Sequence, residues 1–480
     1  MRRLYLILLL SIQCVLGTSV LAQDAWTLNA CIEHAATHNL EIQRGQNTLE
    51  LAEVNTLQSQ LAFLPSINLN GGYYWNFGLT IDPISNTRQP GSRQTLGTTA
   101  STNWTLFGGG RNYNQLQQAK MNEVAALYQL DELRNNVSIS VASSYLQILV
   151  NKQLLEVAEE QLKASEQSFK RTQILYENGA LSKDNYLQAM AQVKSDEGNA
   201  ISTRNALVLS KLMLYQMLQL EEDFESFDVV APEVDLSAGA MRGYNNEELL
   251  ASAVEKQPSV KLAQANISAS EYAAKLAAGG RYPSVAFSAQ LNSNYVQGLP
   301  YFTDYYTLTT YTLVENPVTG SIDQVPQEIY VPDPNSMVEY TVGNQLMDNW
   351  NQFVGIGIQV PIFNSGQVHS AVQRAKIQEH NAYLDLRQSE LNVRQTIERA
   401  YLDAVGALAV YEASKSAAEA SKEALENART NFELGTISAF DFSLSQNQYV
   451  AAESRAIQSK YDYLFKVKVL EFYLFNQITL

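Results

Sequence analysis

The chain has 480 residues, a formal net charge of −16 at pH 7 and two cysteines. Such acidity disfavours nucleic acid as a partner, because phosphate recognition needs clustered Lys and Arg. The length exceeds what one small core organises, so several domains or one large elongated body are expected.

Residues 1–22 read as a secretory signal peptide. Arg2 and Arg3 precede an apolar run, and Val20, Leu21 and Ala22 offer small residues for cleavage; a retained anchor is the competing reading. After cleavage only Cys31 remains, so no intramolecular disulfide forms and packing must hold the chain. No later segment offers about 20 continuous apolar residues, so any membrane crossing must be by strands.

Residues 23–64 read as a helical stretch. In residues 65–107 two segments alternate with period two. Ile67, Leu69, Tyr73, Trp75, Phe77, Leu79 and Ile81 face one way, and Ser66, Asn68, Asn70 and Asn76 the other. The next segment sets Leu96, Ala100, Trp104 and Leu106 against Thr99, Ser101 and Asn103. Strands this long, with aromatics near their ends, fit the wall of an outer-membrane barrel better than a secreted sandwich. Tyr73, Tyr74, Trp75, Trp104, Tyr295, Trp350 and Phe353 are the expected interfacial belt.

Residues 108–220 form a long helical hairpin. Residues 111–178 contain neither Pro nor Gly, and a helix of that length spans about 100 Å. Leu116, Ala119, Val124, Leu127, Leu130, Leu133, Val137, Val141, Tyr145 and Ile148 recur three or four apart, as a packing seam does. The turn NGALSKDN supplies a helix stop at Gly179 and an N-cap at Ser182. Residues 221–245 are strongly acidic and read as a solvated linker.

The second half repeats this order: helices in 246–281, a strand pair with a long loop in 282–363, and a second long helical hairpin in 364–480. Gly435 follows Gly179 at an offset of 256, and Tyr282-Pro283-Ser284 follows Leu64-Pro65-Ser66 at an offset of 218. Both offsets are even, so matching strands present matching faces. The difference is an insert around residues 295–349, rich in Tyr, Pro, Asn and Thr, which reads as loop. The small residues Ala407, Ala409, Ala413, Ala417, Ala418, Ala420 and Ala424 allow close helix approach.

Four strands cannot close a barrel, and open edges in lipid cost several kcal/mol per orphan group. Other copies of the chain must complete the sheet. Two copies give eight strands and a filled interior, whereas three give twelve and leave room for water.

The segments LNACIEHAATHNLEIQ, LPSINLNGGY, WTLFGGGRNYNQLQQAK and VPIFNSGQVHSAVQRAK, with the two Gly-Ser hairpins, resemble the TolC-like outer-membrane efflux protein family, the outer membrane factors. The resemblance covers nearly the whole mature chain, in order and in both copies. It implies a transmembrane β-barrel joined to a long α-helical coiled-coil tunnel, with four strands per chain and a homotrimeric barrel of twelve strands. It implies a place in the outer membrane of a Gram-negative bacterium, with a large periplasmic part and contact with outer-membrane lipid. It implies an exit duct for efflux or secretion, with a periplasmic adaptor (membrane fusion) protein and an inner-membrane pump as partners.

In that family the hairpin tips form the narrowed periplasmic end. Here the tips are Gly179, Leu181, Ser182, Gly435, Ile437 and Ser438. The family's entrance aspartate falls on Asp441; its first-tip counterpart is Asn185, with Asp184 beside it. A second acidic position falls on Leu444, a hydrogen-bonding Tyr on Phe432 and an Arg on Ile437. The expectation is an entrance that lacks most polar locks and is held by Phe432, Phe440 and Phe442.

Cys31, His34 and His38 share one helix face, but no fourth ligand is evident and no metal or cofactor is implied. No catalytic motif appears, so an enzyme is not expected. The alternative function is a structural coiled-coil envelope protein anchored in the outer membrane; the polar strand face favours the duct.

Overall fold

A computed structural model of the chain describes residues 26–81, 87–221, 223–231, 247–315, 317–318 and 320–475. The expected signal peptide and most of the acidic linker lie outside the described residues. The chain divides into two compact units. One is built from residues up to Asn55, Gln118–Glu271 and Ile377 onward; the other comprises Thr56–Gln117 and Tyr272–Lys376.

The first unit is helical. The stretch expected near its start is two helices, α1 (Leu28–His38) and α2 (Leu40–Leu61). Asn39 divides them: its backbone N–H closes α1, and its side-chain oxygen accepts from the Glu41 N–H at 2.9 Å. After the strands come α3 (Arg111–Glu177) and the returning α4 (Lys183–Leu218). The corresponding later helices are α5 (Glu247–Lys256) and α6 (Pro258–Gly279), split where Pro258 starts a new helix. The 67-residue α8 (Gln367–Glu433) and α9 (Ala439–Phe475) follow in the chain.

Two apolar clusters hold these helices. The first joins Leu28, Cys31, Val141, Tyr145, Ile148, Leu214 and Leu218 to Tyr461 and Leu464 of α9. The second joins Leu250, Ala253, Ile397, Ala404, Leu470 and Leu474. Val141 pairs with Ile397, Ile148 with Ala404, and Leu214 with Leu470, at the offset that relates Gly179 to Gly435, and every member is fully buried. The seam expected along α3 is buried at Leu130, Val137, Val141, Tyr145 and Ile148, but Leu127 is exposed. Along α8, Ala407 and Ala418 are buried, with Ala400, Ala404 and Ala428 on the same periodic face. Ala409, Ala413, Ala417, Ala420 and Ala424 lie off that face and are exposed.

The linker reading needs correction. Phe227 and Val229 are buried, and Val229 makes an isolated parallel bridge with Trp26. The Tyr145 hydroxyl donates to the Trp26 carbonyl at 3.1 Å and also to the Val230 carbonyl. Asp228, between the two apolar residues, takes Lys152 at 2.7 Å and Lys211 at 3.0 Å. The acids in this segment concealed an alternating apolar pair.

The second unit is built on a four-stranded antiparallel sheet in the order β1 (Ser66–Ile81), β2 (Arg88–Gly108), β3 (Ser284–Val296) and β8 (Asn351–Gln359). Register aligns the apolar positions in rows: Ile67–Thr102–Ala289–Val354, and Trp104–Phe287–Ile356. The other face carries Asn70–Thr99–Asn292–Asn351. The apolar face is bare, with Ile67 81% exposed. Two expectations fail in detail. A register shift between Thr105 and Phe107 brings Phe107, rather than Leu106, opposite Val285 on the apolar face. Tyr74 and Phe353 lie on the polar face, where Phe353 opposes Gln290. Their rings lie over Gly72 and Gly355, two residues along on the same face.

The insert is not a simple loop. It contains β4 (Pro300–Phe302), β5 (Tyr305–Glu315), β6 (Ile322–Pro332), β7 (Met337–Glu339) and the short helix α7 (Val342–Asp348). Strands β4 and β7 pair, and β5 pairs along its length with β6 as a separate ribbon. Tyr, Thr and Val supply the strand preference. Pro326 is tolerated because a two-stranded ribbon has a free edge on each strand. The return to β8 is anchored by fully buried Gln345, which accepts from the Val296 N–H at 2.9 Å and donates to the Val296 carbonyl at 3.1 Å. Ser293 donates to the Leu346 carbonyl at 2.6 Å, and Asn349 to the Asn294 carbonyl at 2.8 Å.

Candidate functional site: the hairpin tips and the groove beside them

The two turns that end the long helices have the same backbone. Gly179 and Gly435 both sit at φ 75°, the left-handed region. At the first tip the Gly179 N–H donates to the Tyr176 carbonyl at 2.9 Å, and the Ala180 N–H to the Leu175 carbonyl at 2.8 Å. At the second, Gly435 donates to Phe432 at 3.1 Å and Thr436 to Asn431 at 2.9 Å. Both are helix stops with the paired bonds that satisfy the last carbonyls.

The starts of the returning helices differ. Ser182 caps α4 by accepting from the Asn185 N–H at 3.4 Å. Ser438 accepts from the Asp441 N–H at 3.2 Å, and the Asp441 carboxylate in turn accepts from the Ser438 N–H at 3.3 Å and hydroxyl at 2.7 Å. Asp441 therefore completes a reciprocal cap, in the manner of a capping box. Asp184 lies exposed in the first turn of α4, and Asn185 is half-buried. Leu181 and Ile437 are half-buried rather than projecting freely.

Each hairpin is stapled by an aromatic pair across its two helices. Tyr176 and Tyr186 stack with centroids 5.1 Å apart, and Phe432 and Phe442 at 5.0 Å with planes 8° apart. The second pair repeats the first at the same offset as the tip glycines. Phe440 takes no part in the stack and is 64% exposed. The Arg171 guanidinium lies 6.0 Å from the Phe432 ring centroid, so it links the first hairpin to the second.

Beside the tips, a groove with a cavity of about 360 Å³ runs between α3/α4 and α9, lined by Ser168, Ala189, Phe440, Phe442, Leu444 and Gln446 among others. A chain of side-chain hydrogen bonds spans it. Gln192 Nε2 donates to Asn447 Oδ1 at 3.3 Å and to Asp196 Oδ1 at 3.0 Å. Gln192 Oε1 accepts from the Ser443 hydroxyl at 3.1 Å, and buried Gln161 donates to Asp196 Oδ2 at 3.3 Å. Polar contacts at positions other than Phe432, Ile437 and Leu444 thus join the hairpins within the protomer: Gln192 clasps the second hairpin to the first. Nothing in the sequence singles it out. The duplication repeats Gln192 as Gln448, but the partners Ser443 and Asn447 fall on Leu187 and Ala191 in the first copy, so the pairing itself is not repeated.

Cys31 is fully buried in the first core, and burial pushes its thiol up to about 12. His34 and His38 stack at 4.0 Å. Among the described residues no group of three or more His, Cys, Asp or Glu side chains is arranged to hold a metal ion.

The sequence profile of outer membrane efflux proteins matches residues 31–219 and 327–474. The chain belongs to the outer membrane efflux protein family. It is a TolC-like channel of the Gram-negative outer membrane, with a large periplasmic part. One relative, outer membrane efflux protein BepC of Brucella suis biovar 1, is 20% identical over 451 residues, which cover 93% of this chain and 85% of BepC. Two solved structures show the same fold. The outer membrane protein VceC of Vibrio cholerae superposes with a TM-score of 0.69 at 15% identity, over 93% of this chain and 95% of VceC. The CmeC outer membrane channel of Campylobacter jejuni gives a TM-score of 0.68 at 13% identity, over 93% and 85%. The family match breaks off at residue 219 and resumes at 327, within β6.

Proposed function

We propose that three copies of this outer membrane efflux protein close a twelve-stranded barrel, each giving β1, β2, β3 and β8, and that their long helices form a periplasmic exit tunnel. The observation that carries this reading is a sheet with one bare apolar face, one polar face and two unpaired edges, β1 and β8. Such edges are untenable in lipid unless neighbouring copies pair with them. The core positions that recur at one fixed offset support an internal duplication behind the two hairpins.

The hairpin tips then form the periplasmic entrance. Gly179, Leu181, Ser182, Gly435, Ile437 and Ser438 meet a periplasmic adaptor, through which an inner-membrane pump delivers its cargo. Asp184, Asn185 and Asp441 line the approach; Phe432 and Phe442 hold the second hairpin together. Gln192 holds that hairpin on the first, and opening requires its bonds to Ser443 and Asn447 to break.

Single-channel recording of the purified protein in planar bilayers tests both levels. The duct reading expects conductance, and the gate reading expects Gln192→Ala and Phe432→Ala each to raise it. Unchanged conductance in both variants removes the gate. A trimer that never conducts leaves only the structural anchor.

A further inference from the structure

We propose that the acidic β5–β6 ribbon of each copy docks on the basic tip of the β1–β2 hairpin of the next copy, outside the membrane. The inference rests on the trimeric ring described above, in which β8 of one copy borders β1 of its neighbour.

The two bordering edges are unequal. Strand β1 has 16 residues and β8 has nine, and the row that begins β8 at Asn351 reaches β1 at Asn70. Even β3 stops at Val296, opposite Thr95. Gln297 still bonds Gln94, and beyond that row the hairpin continues as two strands only, Asn76–Ile81 paired with Arg88–Arg93. At about 3.4 Å per residue and a tilt of about 40°, β1 rises about 40 Å, against an apolar band of about 25 Å. The tip therefore projects past the lipid, yet it still carries Phe77 at 80% and Leu79 at 72% exposure. The chain's own ribbon leaves these side chains uncovered.

Charge distinguishes the two partners. Arg88 and Arg93 are the only Lys or Arg between Arg44 and Arg111, and both lie in the tip, against the single acid Asp82 in the sequence between its strands. The Arg93 guanidinium donates to the Ile81 carbonyl at 3.0 Å, which keeps it at that end. Residues 295–349 carry seven Asp and Glu and no Lys or Arg. The ribbon within them is solvent-exposed along almost its whole length, and its register brings Tyr306, Leu308, Ile329 and Val331 together on one face. Because α7 and Gln345 pin the insert's return at Val296, the insert belongs to the β8 side of the sheet, where the neighbour's β1 must come. An acidic ribbon bearing apolar side chains thus meets a basic tip bearing apolar side chains.

The test uses full-length trimers assembled from mixed ¹⁴N- and ¹⁵N-labelled chains carrying Arg88→Lys and Arg93→Lys. A carbodiimide joins a lysine amine to a carboxylate only at ion-pair distance, and mass spectrometry reads which peptides are joined. Heavy–light pairs between residue 88 or 93 and Glu315 or Glu328 are expected. Glu315→Gln with Glu328→Gln removes the carboxylates that the carbodiimide activates and should abolish these pairs, which confirms their assignment. An intact trimer giving no tip–ribbon pair, or only heavy–heavy and light–light pairs, overturns the docking and leaves the ring standing. A protein that is monomeric in detergent before any substitution overturns the ring and the docking together.

Discussion

Asp228 illustrates how one side chain fixes a chain crossing. Burial alone would raise its carboxyl, but hydrogen bonds from Lys152 and Lys211 outweigh that and hold it below the usual carboxylate value. A carboxyl depressed in the folded state stabilises fully above its unfolded value, and that stabilisation is lost as pH falls through the depressed one. Asp228→Asn should therefore lower the thermal midpoint of the detergent-solubilised protein at pH 7. The loss, discounted because the side chain is half exposed, corresponds to about 0.5–1 kcal/mol. Variant and parent should converge as the pH falls below the ordinary carboxylate range, and a gap that persists there would assign the effect to packing. None of this was legible in the sequence. The segment from 221 reads as a charge run, and only the depth of Phe227 and Val229 shows which acid among several has a partner.

At the scale of elements, periodicity carried most of the information. The long helices and the two Gly-Ser turns follow from the absence of breakers in 111–178 and from two well-placed glycines. The strand faces follow from period-two alternation, except where a bulge near Leu106 shifts the parity. The insert was misread because its prolines mark bends and free edges as well as loops. The contacts at the hairpin tips were legible only in their repeated part: the aromatic staples recur in both hairpins, whereas of the Gln192 clasp only the glutamine recurs and its partners do not. The glycines provide a matched test. Gly435 sits at φ 75° and Gly198 lies inside α4, and an added Cβ would meet nothing within 4 Å at either. Gly435→Ala should destabilise its turn by about 1 kcal/mol, and Gly198→Ala should stabilise α4 by a similar amount. Amide exchange of peptides covering the second tip and the middle of α4 reads both. Equal protection in parent and Gly435→Ala would mean that the left-handed turn is not the populated one.

For the whole molecule, the decisive property is that the sheet's two faces want different solvents. Ile356 stands on the apolar face, in one row with Phe287 and Trp104, while Asn70 stands on the other. Ile356→Arg should cost about 2–4 kcal/mol near the bilayer midplane, whereas Asn70→Arg faces water. Outer-membrane abundance after fractionation should fall for the first variant and hold for the second. Comparable loss in both would put lipid on neither face in preference.

The first helical core joins α1, near the start of the described residues, to Ile457, Tyr461 and Leu464 of the last described helix. A chain that emerges N-terminus first from a secretion pore cannot finish this core until its last turns have crossed. For nearly the whole of its translocation, Val141, Tyr145 and their neighbours stay unshielded. The seam is therefore open to misassembly until the final helix arrives to cover it.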